Sequence, residues 1–469
     1  MNSTILAKAD LVYESYKDKL GLAVAFLLPL KLSLVYIILI PTLCLWFLKN
    51  RLFISGTGAL STTNGKIPTA GIPLLFFIII AVCSSLFGIN TLASIGRLLG
   101  FAFFSCALFY YYDITRRETY LHYLAALLAG QALAALHTVF EAAFPESLSR
   151  LFLGTVTESG QIALTLVLGF GLLIHLTQEI LLARQSSTPN TKAFAFTNLP
   201  AQDVCWFLLN IAIFCAIGFS LYLHLSANTV ALLSVAAGAT ILISLYRAYL
   251  HLNRSTATQA LQTLLLSTFL PLIILALLIN LKRGPWAGVI CGSMILLAIY
   301  SKRLLIPLFA IVVCLFIFIE PLRLRLEQSS RDFFITGGRN VIWEIGGELA
   351  TRYPLGIGFD NSQFLQKFSP EIPATLKHFH SNVLNILVET GWLGLGAYLW
   401  FILSLLMIAF RNNLPPPYSI LTTTIGCALI AWQVAGVVEY NFGDSEVYLV
   451  ALLLCGVMLK LAEGDEFRA

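Results

Sequence analysis

Charged residues are scarce in this chain, and their scarcity excludes most classes of soluble protein. Asp, Glu, Lys and Arg make up 11% of the 469 residues, 58% are hydrophobic, and the mean hydropathy is +0.84. Soluble domains are closer to one quarter charged and one half apolar. Because a membrane-spanning helix needs about 20 mostly apolar residues, a chain of this length has room for roughly a dozen spans. The composition therefore predicts an all-α polytopic membrane protein with one membrane domain overall.

The chain also lacks the motifs of several common enzyme classes. It contains no HExxH, DxD or CxxC spacing, no Gly-rich phosphate-binding loop and no polar region large enough for a soluble nucleotide-binding domain. The nine cysteines all lie in or beside apolar runs, where small buried hydrophobic residues are expected. We therefore expect no metal site, no cofactor and no nucleic-acid partner.

Fourteen apolar runs can be read along the chain, at 20–30, 32–48, 68–88, 97–112, 121–143, 162–183, 204–223, 227–246, 264–281, 285–300, 304–319, 383–410, 418–438 and 446–462. The first two are divided only by Pro29-Leu30-Lys31, so they form either a tight hairpin or one kinked helix. The expected number of transmembrane helices is therefore about 12–14. The runs divide the chain into N-terminal helices (1–319), one long polar loop (320–382) and C-terminal helices (383–469).

Positive charges are distributed unevenly over the segments between the runs. With fourteen spans and a cytoplasmic N-terminus, seventeen Lys and Arg fall in cytoplasmic segments, five in short outer loops and seven in 320–382. Short cytoplasmic loops are the ones that carry an excess of Lys and Arg. The distribution therefore predicts that the long loop faces outward.

The segment 337–364 of this loop begins with the pattern of an amphipathic helix. Its apolar positions have roughly helical spacing, at Ile342, Trp343, Ile345 and Leu349. We expect this helix to lie on the membrane surface and to end near Tyr353-Pro354, with Arg339 at its start. In the turn that follows, Gly356 and Gly358 allow the backbone to approach a partner closely.

Two histidines lie at the end of the long loop. His378 and His380 precede Ser381 and Asn382, either of which can cap the next helix. The positive end of that helix favours the neutral imidazole that a general base needs, and its N–H groups can bind a phosphate. Histidine in an outer loop is also common as plain polar surface, and the choice of base between the two histidines stays open. Glu389, in the same helix, is a weaker candidate.

A second group of positive charges lies in the turn Lys282-Arg283-Gly284-Pro285, between two apolar runs. Two positive charges in an outer turn run against the distribution described above. They either extend into the interfacial region or bind a phosphate-bearing lipid. Arginine suits the second role because its planar fork can hold two phosphate oxygens.

Three segments together resemble the O-antigen ligase/polymerase superfamily of bacterial inner-membrane glycosyltransferases. They are KRGPWAGVICG (282–292), RNVIWEIGGELATRYPLGIGFDNSQF (339–364) and HSNVLNILVETGWLGLGAYLWFIL (380–403), in the family's order. The resemblance implies a GT-C-like arrangement of transmembrane helices, with short amphipathic helices in a long periplasmic loop. Family members commonly have Ser-Arg-Gly where this chain has Lys282-Arg283-Gly284.

The resemblance implies a metal-independent transferase that takes a glycan from undecaprenyl diphosphate in the membrane. An O-antigen ligase, whose acceptor is the lipid A–core oligosaccharide, is the first interpretation. Arg283 and Arg339, with Lys282, would bind the diphosphate, and His380 would deprotonate the acceptor hydroxyl. His378, Asn382 and Glu389 would support them. An O-antigen polymerase, a protein O-oligosaccharyltransferase and, from another class, a lipid-linked glycan transporter are the alternatives. The sequence gives no oligomeric state.

Overall fold

The computed structural model describes residues 3–50, 68–143, 159–185, 209–210, 213, 238–250, 257–334, 338–367, 377–411, 414–416 and 418–463. Every regular element within these ranges is a helix. Nine of the described helices are long and apolar enough to cross a membrane, or ten if one helix pair bent by 80° forms a single span. The prediction of an all-α polytopic membrane protein is confirmed.

The first half of the chain contains α1 (Ser3–Leu27), α2 (Leu32–Asn50), α3 (Gly71–Leu86), α4 (Thr91–Ile114), α5 (Tyr120–Ala143), α6 (Ser159–Gln185) and α7 (238–250). The second half contains α8 (Ala257–Asn280, with a π-helical turn at Leu265–Phe269), α9 (Arg283–Tyr300), α10 (Leu305–Phe318), α11 (Glu320–Phe334), α12 (Arg339–Arg352), α13 (Asn382–Ala409), α14 (Tyr418–Ala435) and α15 (Ser445–Glu463). Short 3₁₀ segments lie at Lys302–Leu304 and Asn361–Lys367.

Twelve of the fourteen apolar runs coincide with helices of the structure. The first two runs form a hairpin, because a turn at 28–30 separates α1 from α2 and the two helices pack together. The run 204–223 and most of 227–246 lie outside the described residues. The total of 12 to 14 spans therefore stays a prediction.

Helix α9 packs against α14 through a row of glycines spaced four residues apart, at Gly284, Gly288 and Gly292. A Cβ added at these positions would lie 3.0, 2.3 and 2.8 Å from the carbonyl oxygens of Ala435, Ala431 and Cys427. The two backbones can approach this closely only where α9 has no side chains, as in other small-residue helix contacts in membranes. The row fixes the start of α9 against the end of α14.

Helix α13 is broken at Gly391, which has φ 73° and ψ −176°. The loop that follows α12 packs alongside this break. It forms backbone hydrogen bonds from Ile357 N to the Val388 oxygen (2.9 Å), from Gly358 N to the Glu389 oxygen (3.0 Å), and from Trp392 N to the Pro354 oxygen (3.2 Å). The partner of the glycine turn is therefore α13 of the same chain.

Helix α12 begins at Arg339 and has its C-cap at Tyr353, as the sequence predicts. Its apolar residues Ile342 and Leu349 are buried in a small cluster with Ile357, Phe379 and Val388. This apolar face packs against α13 and the loop beside it, so protein covers Ile342 and Leu349, and the position of the helix at the membrane surface stays a prediction. The packing brings the start of α12 towards the histidines.

Candidate active site

The two histidines that precede α13 contact each other. Their ring centroids are 4.4 Å apart, with the planes at 79°. His380 has a φ of 51°, in the left-handed region that few residues other than glycine adopt. Its backbone N–H donates to Nδ1 of His378 at 3.3 Å. The left-handed residue turns the chain back, so the two side chains meet although only one residue separates them.

The residues on either side of His380 anchor this conformation. Phe379 is fully buried, its N–H donates to Oδ1 of Asn385 at 3.2 Å, and its carbonyl oxygen accepts the indole N–H of Trp343 at 2.9 Å. Ser381 is the N-cap of α13, and its hydroxyl accepts a backbone N–H of the first turn at 3.5 Å. Buried contacts on both sides therefore fix the backbone of the partly exposed His380.

Asn382 follows the cap and anchors the loop between α14 and α15. Its Oδ1 accepts the N–H groups of Asn441 (2.9 Å) and Phe442 (3.0 Å), and its Nδ2 donates to Oδ1 of Asn441 (2.8 Å). Its own N–H donates to the Gly436 carbonyl at 2.7 Å. Because its amide is engaged in these bonds, the structure places Asn382 in the scaffold of the site.

Charge and burial both favour the neutral form of the histidines. Burial, the neighbouring His378 and the charge of Arg339 lower the pKa of His380 from 6.5 to about 4. Burial also lowers the pKa of His378. The position of His380 at the start of α13 also favours the neutral imidazole, as the sequence predicts. Burial, however, makes the largest contribution to the lowered pKa of His380. Arg339, the first residue of α12, thus acts electrostatically on His380, as expected if the two residues share one site.

Lys282 and Arg283 lie at the beginning of α9. Leu281 ends α8 in a left-handed conformation (φ 51°), Lys282 is extended, and Arg283 is the first helical residue. A Cβ on Gly284 would lie 3.0 Å from the Ala435 oxygen and 3.2 Å from the carboxyl carbon of Glu439. The turn therefore packs against residues 435–439.

The segment 435–442 also contacts the start of α13, through Gly436 and Asn441 on Asn382. The described contacts thus join the Lys282-Arg283 turn and the histidine pair through this one segment. Arg339 is linked to His380 by its charge, which contributes to the lowered pKa of His380.

Tyr440 is a residue of the site that sequence reasoning missed. Its ring lies 5.6 Å from the ring of His378. Burial raises the pKa of Tyr440 well above its ordinary value, and the carboxylates of Glu389, Asp360 and Asp444 add to the increase. About 60 residues separate Tyr440 from the histidines in the sequence, and no periodicity or motif links them. Only the packing of α14 onto α13 reveals the contact.

Glu389 is almost fully buried, at 1% exposure. Its carboxylate accepts the backbone N–H of Ser362 at 3.3 Å and also the Ser362 hydroxyl. Its backbone oxygen accepts the Ser84 hydroxyl at 2.6 Å. Glu389 thus links α13 to the loop after α12 and to α3, and it lies in the interior beside the Gly391 break.

The described part of the chain contains no group of three or more His, Cys, Asp or Glu side chains arranged to hold a metal ion. The site contains an imidazole whose lowered pKa favours its neutral form and a guanidinium whose charge acts on that imidazole, with further positive charge at the start of α9. Such a set can accept a proton and bind an anion.

Residues 266–399 match the family model described as O-antigen ligase. The matched segment runs from within α8 to the middle of α13, and it contains Arg283, Arg339 and His380. No curated protein sequence matches the chain. Through this segment, which covers less than a third of the chain, the protein is similar to the O-antigen ligase family, and the match supports the O-antigen ligase superfamily.

Proposed function

We propose that this protein is an O-antigen ligase, which moves a glycan from undecaprenyl diphosphate to the lipid A–core oligosaccharide at the periplasmic face of the inner membrane. One observation carries the proposal: His380 is a partly exposed imidazole, packed against His378, whose pKa is lowered by burial, His378 and the charge of Arg339, and it lies within the segment that matches the family. An imidazole in this state can deprotonate a sugar hydroxyl, and the guanidinium can bind the phosphate of a lipid-linked donor.

The arginines have a common local setting that suits a diphosphate. Arg283 is the first residue of α9 and Arg339 the first residue of α12, and Lys282 is the N-cap of α9. The first turns of helices present unpaired N–H groups and the positive end of the helix dipole. A diphosphate at these helix ends would therefore meet both backbone N–H groups and cationic side chains, the combination that stabilises phosphate in many proteins.

The proposed reaction is a displacement at the anomeric carbon of the donor sugar. The acceptor hydroxyl gives its proton to His380, and its oxygen forms a bond to the anomeric carbon. The bond between that carbon and the diphosphate oxygen breaks, and both electrons leave with the diphosphate. Attack from the side opposite the leaving group inverts the anomeric centre. Arg283 and Arg339 stabilise the charge that develops on the leaving group.

The charge of Arg339 also links donor binding to the strength of the base. In the free protein the charge of Arg339 contributes to the low pKa of His380. A bound diphosphate would compensate that charge, so the pKa of His380 should rise when the donor arrives. The base is then stronger in the complex that carries out the transfer than in the empty site.

The test is a transfer assay with purified protein, undecaprenyl diphosphate-linked glycan and rough lipopolysaccharide, with and without EDTA. We expect glycan on the lipid A–core acceptor, at a rate that EDTA does not change. If the lipid-linked glycan is lengthened but no glycan reaches the core, the protein is a polymerase and not a ligase. If the lipid crosses the membrane and no glycan is transferred, the protein is a transporter. His122→Ala is a matched control for histidine substitutions, because His122 is exposed at the opposite end of the bundle.

A further inference from the structure

His378 contacts His380 through a defined atom. Nδ1 of His378 accepts the backbone N–H of His380 at 3.3 Å. A ring nitrogen that accepts a hydrogen bond carries no proton, so in this neutral imidazole the proton is on Nε2. The side chain thus acts on the backbone of its neighbour, and the bond exists only in the neutral form.

The bond holds a conformation that the backbone does not adopt readily. His380 has a φ of 51°, and a residue with a Cβ remains in this region only where its surroundings keep it there. Phe379 and Ser381 are anchored on either side, but neither supplies a partner for the N–H of His380 itself. That partner is Nδ1 of His378.

A further element packs against His378. From the loop after α14, the ring of Tyr440 lies 5.6 Å from the ring of His378. Arg339, from α12, acts electrostatically on the neighbouring His380. The ring of His378 is therefore packed between His380 and Tyr440, which fixes its orientation and directs Nδ1 at the backbone.

We propose that His378 is the positioning residue of this site: its neutral Nδ1 holds the backbone of His380 in the left-handed conformation and so directs the imidazole of His380. This rests on the proposed role of His380 as general base. The two histidines then have different roles. His378 holds the backbone of His380, and His380 accepts the proton of the acceptor hydroxyl.

Two substitutions separate this role from chemistry at Nε2. Asparagine places Oδ1 the same number of bonds from the backbone as Nδ1 of histidine, whereas glutamine reaches to the position of Nε2. We expect His378→Asn to keep kcat within about twofold of the wild type. We expect His378→Gln to lower kcat about fivefold or more, as for the loss of one hydrogen bond, with KM for the lipid-linked donor little changed.

Hydrogen exchange of the backbone amides in 377–382, followed by mass spectrometry, reports the same bond without any substrate. We expect exchange at the His380 amide to be about fivefold faster in His378→Gln and unchanged in His378→Asn. Thermal melts of both variants show whether either one has lost its fold, and the exchange comparison is made between variants with equal melting temperatures.

Equal losses of kcat in the two variants would overturn the proposal, and so would a greater loss in His378→Asn than in His378→Gln. Unchanged exchange at the His380 amide in His378→Gln would also overturn it. Different results would contradict the function proposed above: the absence of transfer by the wild-type protein, or full transfer by His380→Ala. Because the exchange measurement requires no transfer, the two failures can be told apart.

Discussion

Replacing Gly391 with alanine should destabilise the part of α13 that carries the site. The φ of 73° and ψ of −176° at this residue lie in a region that is essentially restricted to glycine, and a side chain there costs about 1–3 kcal/mol. A Cβ would also lie 2.3 Å from the Pro354 oxygen and 2.6 Å from the carbonyl carbon of Leu355. The loop after α12 would have to move away from α13.

That movement would strain the three backbone hydrogen bonds that join the loop to 388–392. Each such bond contributes about 0.5–1.5 kcal/mol, so partial loss of the three adds roughly 2 kcal/mol to the backbone strain. We expect Gly391→Ala to lower the free energy of unfolding by about 3–5 kcal/mol. Since the loop connects α12 to α13, we also expect reduced transfer.

Gly396 provides a matched control on the same helix, because a Cβ there meets nothing within 4 Å. Gly396→Ala should leave stability unchanged or raise it by up to about 1 kcal/mol, from the greater helix propensity of alanine. Thermal unfolding of the two variants in the same detergent makes the comparison. We expect Gly391→Ala to melt about 3–5 °C lower. Equal melting temperatures for Gly391→Ala and Gly396→Ala would refute the reasoning.

Four further predictions concern the site and its supports. Gly288→Ala should destabilise the protein by about 2 kcal/mol in thermal melts, because its Cβ would lie 2.3 Å from a carbonyl oxygen of α14, whereas Gly96→Ala, which faces open space, should not. Asn382→Ala should cost about 2–4 kcal/mol, because three side-chain hydrogen bonds to the loop after α14 are lost; an unchanged melting temperature would contradict this. The low pKa of His380 predicts a kcat/KM that is constant above about pH 6 and falls towards pH 4, and Arg339→Gln should move this acidic limb to higher pH. Because the unfolded chain binds the His380 proton more readily, stability should also fall as the pH drops from about 6.5 to about 4.

Much of the fold is encoded in local patterns that can be read from the sequence. Long apolar runs predict the helices, and the described runs all coincide with helical segments. The start of α12 at Arg339 and the turn before Arg283 follow from helical spacing and from Gly-Pro punctuation. These features depend on neighbouring residues only, so a single sequence contains them.

Features that depend on distant contacts could not be predicted in this way. The backbone next to His380 is anchored at Phe379, whose carbonyl oxygen accepts the indole N–H of Trp343 from 36 residues upstream. Tyr440 reaches His378 through the packing of another helix. The break at Gly391 lies inside an apolar run that reads as one continuous span, and its cause is a loop from earlier in the chain.

Amphipathicity also has a limit that α12 illustrates. Its spacing identifies an apolar face correctly, and Ile342 and Leu349 are on it. The same pattern results whether that face meets lipid or protein, because both exclude water. Which of the two covers it depends on the fold around it, and here α13 and its neighbouring loop cover it.

The general base is tested most directly by single-turnover transfer with purified His380→Ala at saturating lipid-linked donor, beside a separate measurement of donor binding. We expect the transfer rate to fall at least about 100-fold, since a positioned base contributes about 10²–10⁴. Donor affinity should stay within a few-fold of the wild type, because the arginines remain. Transfer at the wild-type rate by a correctly folded His380→Ala would contradict the assignment of His380 as the base.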